Sequence, residues 1–167
     1  MRRTFIAALA LAAIVGTLVI GAAAAGGGPL PAQWREVRAA VARYHSVAQA
    51  ERAGYSVEGA PCVESPLGTM GFHAVNQALI ADPAIDPLRP EILLYAPGRN
   101  GQLKLVGIEY FQVYAEGSVA PLVLGRSLDG PMPGHNPVMP VHYDLHVWLA
   151  EGNPSGLFAP FNPALSC

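Results

Sequence analysis

Apolar and polar side chains alternate along residues 140–150, near the end of the chain. The apolar positions are Val141, Tyr143, Leu145, Val147 and Leu149. The positions between them are His142, Asp144, His146 and Trp148. A period of two in aromatic and β-branched residues predicts a β-strand with one apolar face. The opposite face of this strand then carries two histidines and one carboxylate.

The spacing along this strand limits its chemistry. Residues four apart on a strand are separated by roughly 13 Å, and residues two apart by about 6.6 Å. His142 and His146 therefore cannot hold the same ion unless the strand bulges. Either histidine could share a site with Asp144, or Asp144 could orient the ring of a histidine that binds a metal.

A β-hairpin is predicted over residues 91–96 and 102–114. The connecting residues 97–101 end in Asn100-Gly101, the strongest short-range signal for a tight turn. In the second strand Glu109 stands in a row of apolar residues, namely Leu103, Leu105, Gly107, Phe111 and Val113. A buried carboxylate must be paired, hydrogen-bonded or bound to a metal. Glu109 is thus a structural partner of another group, a metal ligand or supporting acceptor, or a general base.

The remaining segments complete a prediction of the fold. Residues 32–53 have apolar side chains at helical spacing and precede Gly54, which predicts one amphipathic helix. Residues 68–80 are predicted to be a loop that leads into one short helix. Residues 129–140 contain four prolines and predict a stiff loop, with His135 near its middle, over the sheet. The fold class is a single α+β domain: an N-terminal helix packed on an antiparallel sheet with long proline-rich loops.

The N-terminus has the pattern of an export signal. Arg2 and Arg3 precede an apolar run over residues 5–20, and small residues follow over 21–25. We expect a signal peptide over 1–25, a linker over 26–31 and the folded domain over 32–167. The alternative is an uncleaved anchor, because residues 5–25 are long enough to span a bilayer. Either way the protein is secreted, periplasmic or held at the cell envelope.

The charge of the domain excludes several classes of partner. Without residues 1–25 the chain keeps 8 basic and 12 acidic residues, a net charge of −4. It has no basic run and no interleaving of basic and aromatic residues. We therefore expect no nucleic-acid partner and no membrane contact beyond the N-terminal segment.

The chain has two cysteines, Cys62 and Cys167. In an exported protein an even number of cysteines most simply forms disulfides, so this pair predicts one bond. The alternative is a reactive or metal-binding thiolate.

Histidine and methionine are concentrated in the same short segments. Three of the five histidines follow a methionine by three residues: Met70 and His73, Met132 and His135, Met139 and His142. Imidazole is the commonest protein metal ligand, and thioether sulfur favours copper. Zinc would prefer histidines with a carboxylate. The predicted metal ligands, for copper or zinc, are His73, His135, His142, His146, Glu109 and Asp144.

Several motifs resemble those of a family of uncharacterised small exported bacterial proteins. They are MGFHAVN at 70–76, GIEYF at 107–111, DGPMPGH at 129–135 and HYDLHVW at 142–148. The resemblance covers nearly all of residues 53–167 and implies that they form one unit. It carries no activity with it.

Three functions remain as hypotheses. The first is an exported protein that binds a metal ion through the histidines with carboxylate support. The second is an enzyme that uses a histidine and Glu109 or Asp144 as an acid–base pair on a small molecule. The third is a metal-free binding or structural module of the cell envelope, in which the histidines are hydrogen-bonded core residues.

Overall fold

The computed structural model describes residues 29–135 and 138–167. The predicted signal peptide or anchor and the first half of the predicted linker, residues 26–28, lie outside these residues. Within the described part of the chain, no helix is both long enough and apolar enough to cross a membrane.

The N-terminal helical segment is not the single helix that its periodicity predicts. Helix α1 spans Ala32–Val41, a 3₁₀ turn follows over Ala42–His45, and α2 spans Val47–Arg52. The break lies at Ser46, whose backbone is extended with φ −87° and ψ 111°. The Tyr95 hydroxyl donates a hydrogen bond to the Tyr44 carbonyl just before this break, so a side chain from the sheet pairs this carbonyl. The segment ends at Gly54, as predicted.

The sheet has six antiparallel strands in the order β1-β2-β3-β4-β8-β7. Their bounds are Cys62–Ser65 (β1), Gly68–Val75 (β2), Ile92–Pro97 (β3), Leu103–Val113 (β4), Asp129–Met132 (β7) and His142–Val147 (β8). A short hairpin of β5, Leu122–Val123, and β6, Arg126–Ser127, stands apart from it. Helix α3, Gln77–Ile80, follows β2 and is capped by the Asn76 side chain. The predicted α+β class, the β3–β4 hairpin and the strand at β8 are confirmed.

Residues 68–75 are a strand, so the predicted loop was wrong for this segment. Gly68 and Gly71 weaken its strand signal, yet Gly71 is required by the fold. Its φ is +91°, and a Cβ atom there would lie 2.2 Å from the Tyr95 carbonyl oxygen. β2 is held on both sides, by β1 and by β3, which fixes a strand of low intrinsic propensity.

The predicted proline-rich loop begins later than expected. Asp129–Met132 forms the edge strand β7, with Asp129 opposite Asp144 and Met132 opposite His142. Pro131 is tolerated because an edge strand has one side free of ladder hydrogen bonds. His135 lies three residues after the end of β7 and is exposed.

A bulge in β4 changes the predicted row of side chains. Tyr95 pairs with Leu105 and Leu94 pairs with Gly107, so Val106 is the extra residue. Leu103 and Leu105 therefore pack with the helices, whereas Gly107, Glu109 and Phe111 belong to the opposite face.

The sheet has a helix-covered face and a second face, and each has its own apolar cluster. On the helix-covered face, residues of α1 pack against residues of the sheet: Trp34, Val37 and Val41 against Leu93, Tyr95, Ile108, Tyr110 and Leu145. The second face has a smaller apolar cluster of Ile92, Leu94, Ala96, Val106, Phe111 and Trp148.

Cys62 and Cys167 form the predicted disulfide, across 105 residues of chain. The bond ties the C-terminus to the first residue of β1. The alternative of a free, metal-binding thiolate is thereby wrong.

Candidate metal centre

The second face of the sheet brings one group of ligands together from three strands. Glu109 on β4 and His146 on β8 are direct cross-strand partners. His73 on β2 reaches them across β3, which lies between β2 and β4. Its Nε2 atom is 3.3 Å from Glu109 Oε2, and His146 Nε2 is 3.7 Å from the same oxygen. We call His73, Glu109 and His146 the inner group.

The inner group has the spacing of a metal site. Its three ligand atoms lie within 4.8 Å of one another. In a tetrahedral zinc site, with bonds of about 2.0 to 2.1 Å, neighbouring ligand atoms are ~3.3 Å apart. Glu109 and His146 are each only 3% exposed. Among the described residues, neither Glu109 Oε2 nor His146 Nε2 has a hydrogen-bond partner.

The electrostatics of the inner group are those of a carboxylate among imidazoles. Burial alone would raise the pKa of Glu109, but His146 and His73 outweigh burial and hold this pKa below its usual value. Burial opposes the charged form of His73, but the Glu109 carboxylate, 3.3 Å away, outweighs burial and raises the pKa of His73. Burial lowers the pKa of His146 despite Glu109. A negative charge on Glu109 and a positive charge on His73 therefore favour each other.

A second group lies further along the same strand. His142 and Asp144 of β8, together with His135 after β7, place three ligand atoms within 4.8 Å of one another. His142 Nε2 is 3.5 Å from Asp144 Oδ2, and the rings of His135 and His142 have centroids 5.3 Å apart. Burial and the charges of Glu109 and Asp129 raise the pKa of Asp144 to about 7. We call His135, His142 and Asp144 the outer group.

A cavity of about 340 Å³ lies between the two groups. His146 of the inner group and His135 and Asp144 of the outer group contribute to its wall. The other lining residues are Asp129 and the apolar Val63, Met70, Met132, Phe158, Pro160 and Phe161. Its volume is at the lower end of the range for small-molecule sites.

All six predicted ligands lie on this face of the sheet, but they form two groups rather than one. The strand spacing predicted this division, because His142 and His146 fall in different groups. Met70 and Met132 line the cavity, while Met139 packs with the second apolar cluster.

Sequence reasoning missed three contributors to this region. Phe158 and Phe161 form the cavity wall from a segment without regular secondary structure, and no pattern pointed to them. Phe111 stacks on the His142 ring at 4.6 Å between centroids. Its position two residues after Glu109 in a strand did place it on the same face as Glu109, and this signal was available.

No protein-family model matches the chain, and neither a curated protein nor a solved structure matches it.

Proposed function

We propose that the protein is an exported metal-binding protein whose inner group holds one zinc or copper ion. One observation carries the proposal: Glu109 Oε2 and His146 Nε2 are buried without hydrogen-bond partners among the described residues, and His73 Nε2 faces the same point. Leaving a buried polar atom unpaired costs roughly 1–3 kcal/mol. A cation bound between the three atoms would remove this cost.

Protonation of His73 explains this arrangement less completely than a bound metal ion does. A protonated His73 can pair with Glu109, since their atoms are 3.3 Å apart. This pairing leaves His146 Nε2 without a hydrogen-bond partner among the described residues, because that atom is 3.7 Å from the same oxygen. A metal ion accounts for all three atoms at once.

The donor set narrows the choice of metal. Two imidazoles and one carboxylate suit zinc, and three protein ligands are the number found in zinc sites that keep one position open. Met70 and Met132 in the adjoining cavity supply thioethers, which favour copper(I). Because the cavity reaches His146, a small molecule or a further ligand can approach an ion held there.

Export is supported by two features. The sequence of residues 1–25 has the pattern of a signal peptide, and Cys62 is bonded to Cys167. Disulfides persist in oxidising compartments outside the cytosol. Metal would then be bound in the periplasm, at the cell envelope or outside the cell.

The test is elemental analysis of untagged protein purified from the exported fraction without chelator, beside a His73→Ala variant. We expect at least one equivalent of zinc or copper in the wild type and one equivalent less in the variant. Stripping the protein and reloading it with both metals in competition then identifies the preferred ion. His45→Ala is the matched control, because His45 is exposed on the 3₁₀ turn outside both groups.

Two results would contradict the proposal. One is a wild-type protein that is folded, by circular dichroism, yet binds neither metal after incubation. The other is an equal loss of metal in His45→Ala and His73→Ala. The first result would favour the acid–base enzyme or the metal-free envelope module.

A further inference from the structure

We infer that the outer group, His135, His142 and Asp144, is a second and separate metal site that binds a divalent transition ion such as zinc. The inference extends the proposed function from one ion to two. It uses none of the three inner ligands, so either site can fail without the other.

His142 is already held in the form that binds metal. Its Nδ1 atom lies 3.0 Å from the Pro140 carbonyl oxygen, which can only accept a hydrogen bond. Nδ1 therefore carries the proton, and in the neutral ring Nε2 carries the lone pair. A hydrogen bond from one ring nitrogen to a backbone carbonyl is the usual way in which a protein orients a histidine ligand.

The other ring nitrogen of His142, Nε2, is buried inside the protein. The residue is 0% exposed, and its Nε2 atom has no hydrogen-bond partner among the described residues. Phe111 stacks on one side of the ring and fixes its plane. A rigid, buried lone pair of this kind is costly unless something binds it.

The other two residues of the outer group place a ligand atom within 4.8 Å of the His142 ligand atom. Asp144 Oδ2 lies 3.5 Å from it, close to the ~3.3 Å edge of a tetrahedral zinc site. The exposed His135 comes from the segment after β7, so the site can be reached from solvent. Two imidazoles and one carboxylate again form a set suited to zinc.

The two groups cannot merge into one site. His142 and His146 are four residues apart in a strand whose six residues all pair in regular register with β4. Their Cα atoms are then roughly 13 Å apart, which is too far for one ion. A saturated protein should therefore hold two ions.

Zinc titration of the metal-free, untagged protein in competition with a chromophoric chelator tests the inference. We expect two equivalents of zinc in the wild type and one in His135→Ala. In this variant the affinity of the outer group for zinc should fall by roughly 100-fold or more. His135 is exposed, so this variant should stay folded, and His142→Ala should give the same stoichiometry. His45→Ala should keep both equivalents.

Nitrogen NMR of the histidine rings gives a readout that a surface ion would not produce. The His142 Nε2 resonance should move with the loss of one equivalent in His135→Ala, and the His146 resonance should be unaffected by that variant. One equivalent in the wild type, unchanged in His135→Ala, would overturn the second site and leave the first. If His73→Ala loses the inner equivalent and keeps the outer one, the two sites are shown to bind independently. If the wild type binds no zinc at all, both the second site and the proposed function are overturned.

Discussion

The two faces of the sheet differ in whether their buried polar atoms are hydrogen-bonded. On the helix-covered face the tyrosine hydroxyls donate to backbone carbonyls: Tyr95 to Tyr44, Tyr110 to Pro87 and Tyr143 to Ser118. On the second face, which carries the inner and outer groups and which we call the ligand face, the buried atoms Glu109 Oε2, His142 Nε2 and His146 Nε2 have no hydrogen-bond partner among the described residues. Strands β4 and β8 supply members of both sets, since side chains alternate between the faces.

This difference indicates that one face serves the stability of the fold and the other serves the proposed binding of metal. A polar group that is paired within the fold adds about 1 kcal/mol, whereas an unpaired buried group costs roughly 1–3 kcal/mol. The helix-covered face is thus built to hold the domain together. If the proposed function holds, the other face gives up stability in the metal-free state and would regain it on binding a cation.

Neighbouring leucines on β3 offer the largest test of this division. Leu93 and Leu94 are both fully buried, Leu93 on the helix-covered face and Leu94 on the ligand face. Replacing either by alanine should lower the free energy of unfolding by roughly 2–5 kcal/mol. Only Leu94→Ala should also weaken metal binding, by about tenfold, because Leu94 lies between His73 on β2 and Gly107 on β4 and supports the inner group.

Chemical denaturation of the metal-free variants measures the first effect, and chelator competition measures the second. Leu93→Ala serves as the control for a general loss of stability. Equal loss of metal affinity in both variants would show that the two faces do not act separately.

Two buried glutamates sharpen the comparison further. Glu109 is surrounded by histidines and has a lowered pKa. Glu91 accepts a hydrogen bond from the Phe111 amide, yet burial, and to a lesser degree the charges of Glu109 and Asp86, raise the pKa of Glu91 to about 7. A carboxyl whose pKa is raised on folding binds more protons in the folded state, so its contribution to stability is lost as the pH rises from about 4.5 to about 7.

Glu91→Gln should therefore stabilise the metal-free protein at pH 8, by up to about 3 kcal/mol, and have little effect at pH 4. The amide oxygen of glutamine can still accept from Phe111. Urea unfolding of wild type and variant from pH 4 to pH 8 gives the difference directly, and the titration of Asp144 is common to both proteins. A difference that does not change with pH would contradict the raised pKa.

Much of the ligand face was predictable because its signals are local. The alternation around His142, Asp144 and His146 requires only a period of two. Asn100-Gly101 marks the hairpin that places Glu109 in a strand, and a pair of cysteines in a chain with an export signal predicts one disulfide.

The errors came from contacts between distant segments. The bulge at Val106 moves Glu109 out of the row of Leu103 and Leu105, and β2 is a strand because two neighbours pair with it despite its glycines. His73 meets Glu109 only after β3 is inserted between their strands. None of these pairings could be predicted from local patterns in a single sequence.

The helix break at Ser46 also depends on a contact between distant segments. A variant at this contact should have the smallest effect on stability of those considered. Tyr95→Phe removes the hydroxyl that donates to the Tyr44 carbonyl and leaves this buried carbonyl without that donor. We expect a loss of about 1 kcal/mol in the free energy of unfolding, since one neutral hydrogen bond is lost without a change in packing. Both metal equivalents should remain, because Tyr95 faces the helices and its hydroxyl has no part in either group. A Tyr95→Phe protein that loses metal would mean that the helix-covered face positions the ligands, and the division between a face for stability and a face for binding would then be wrong.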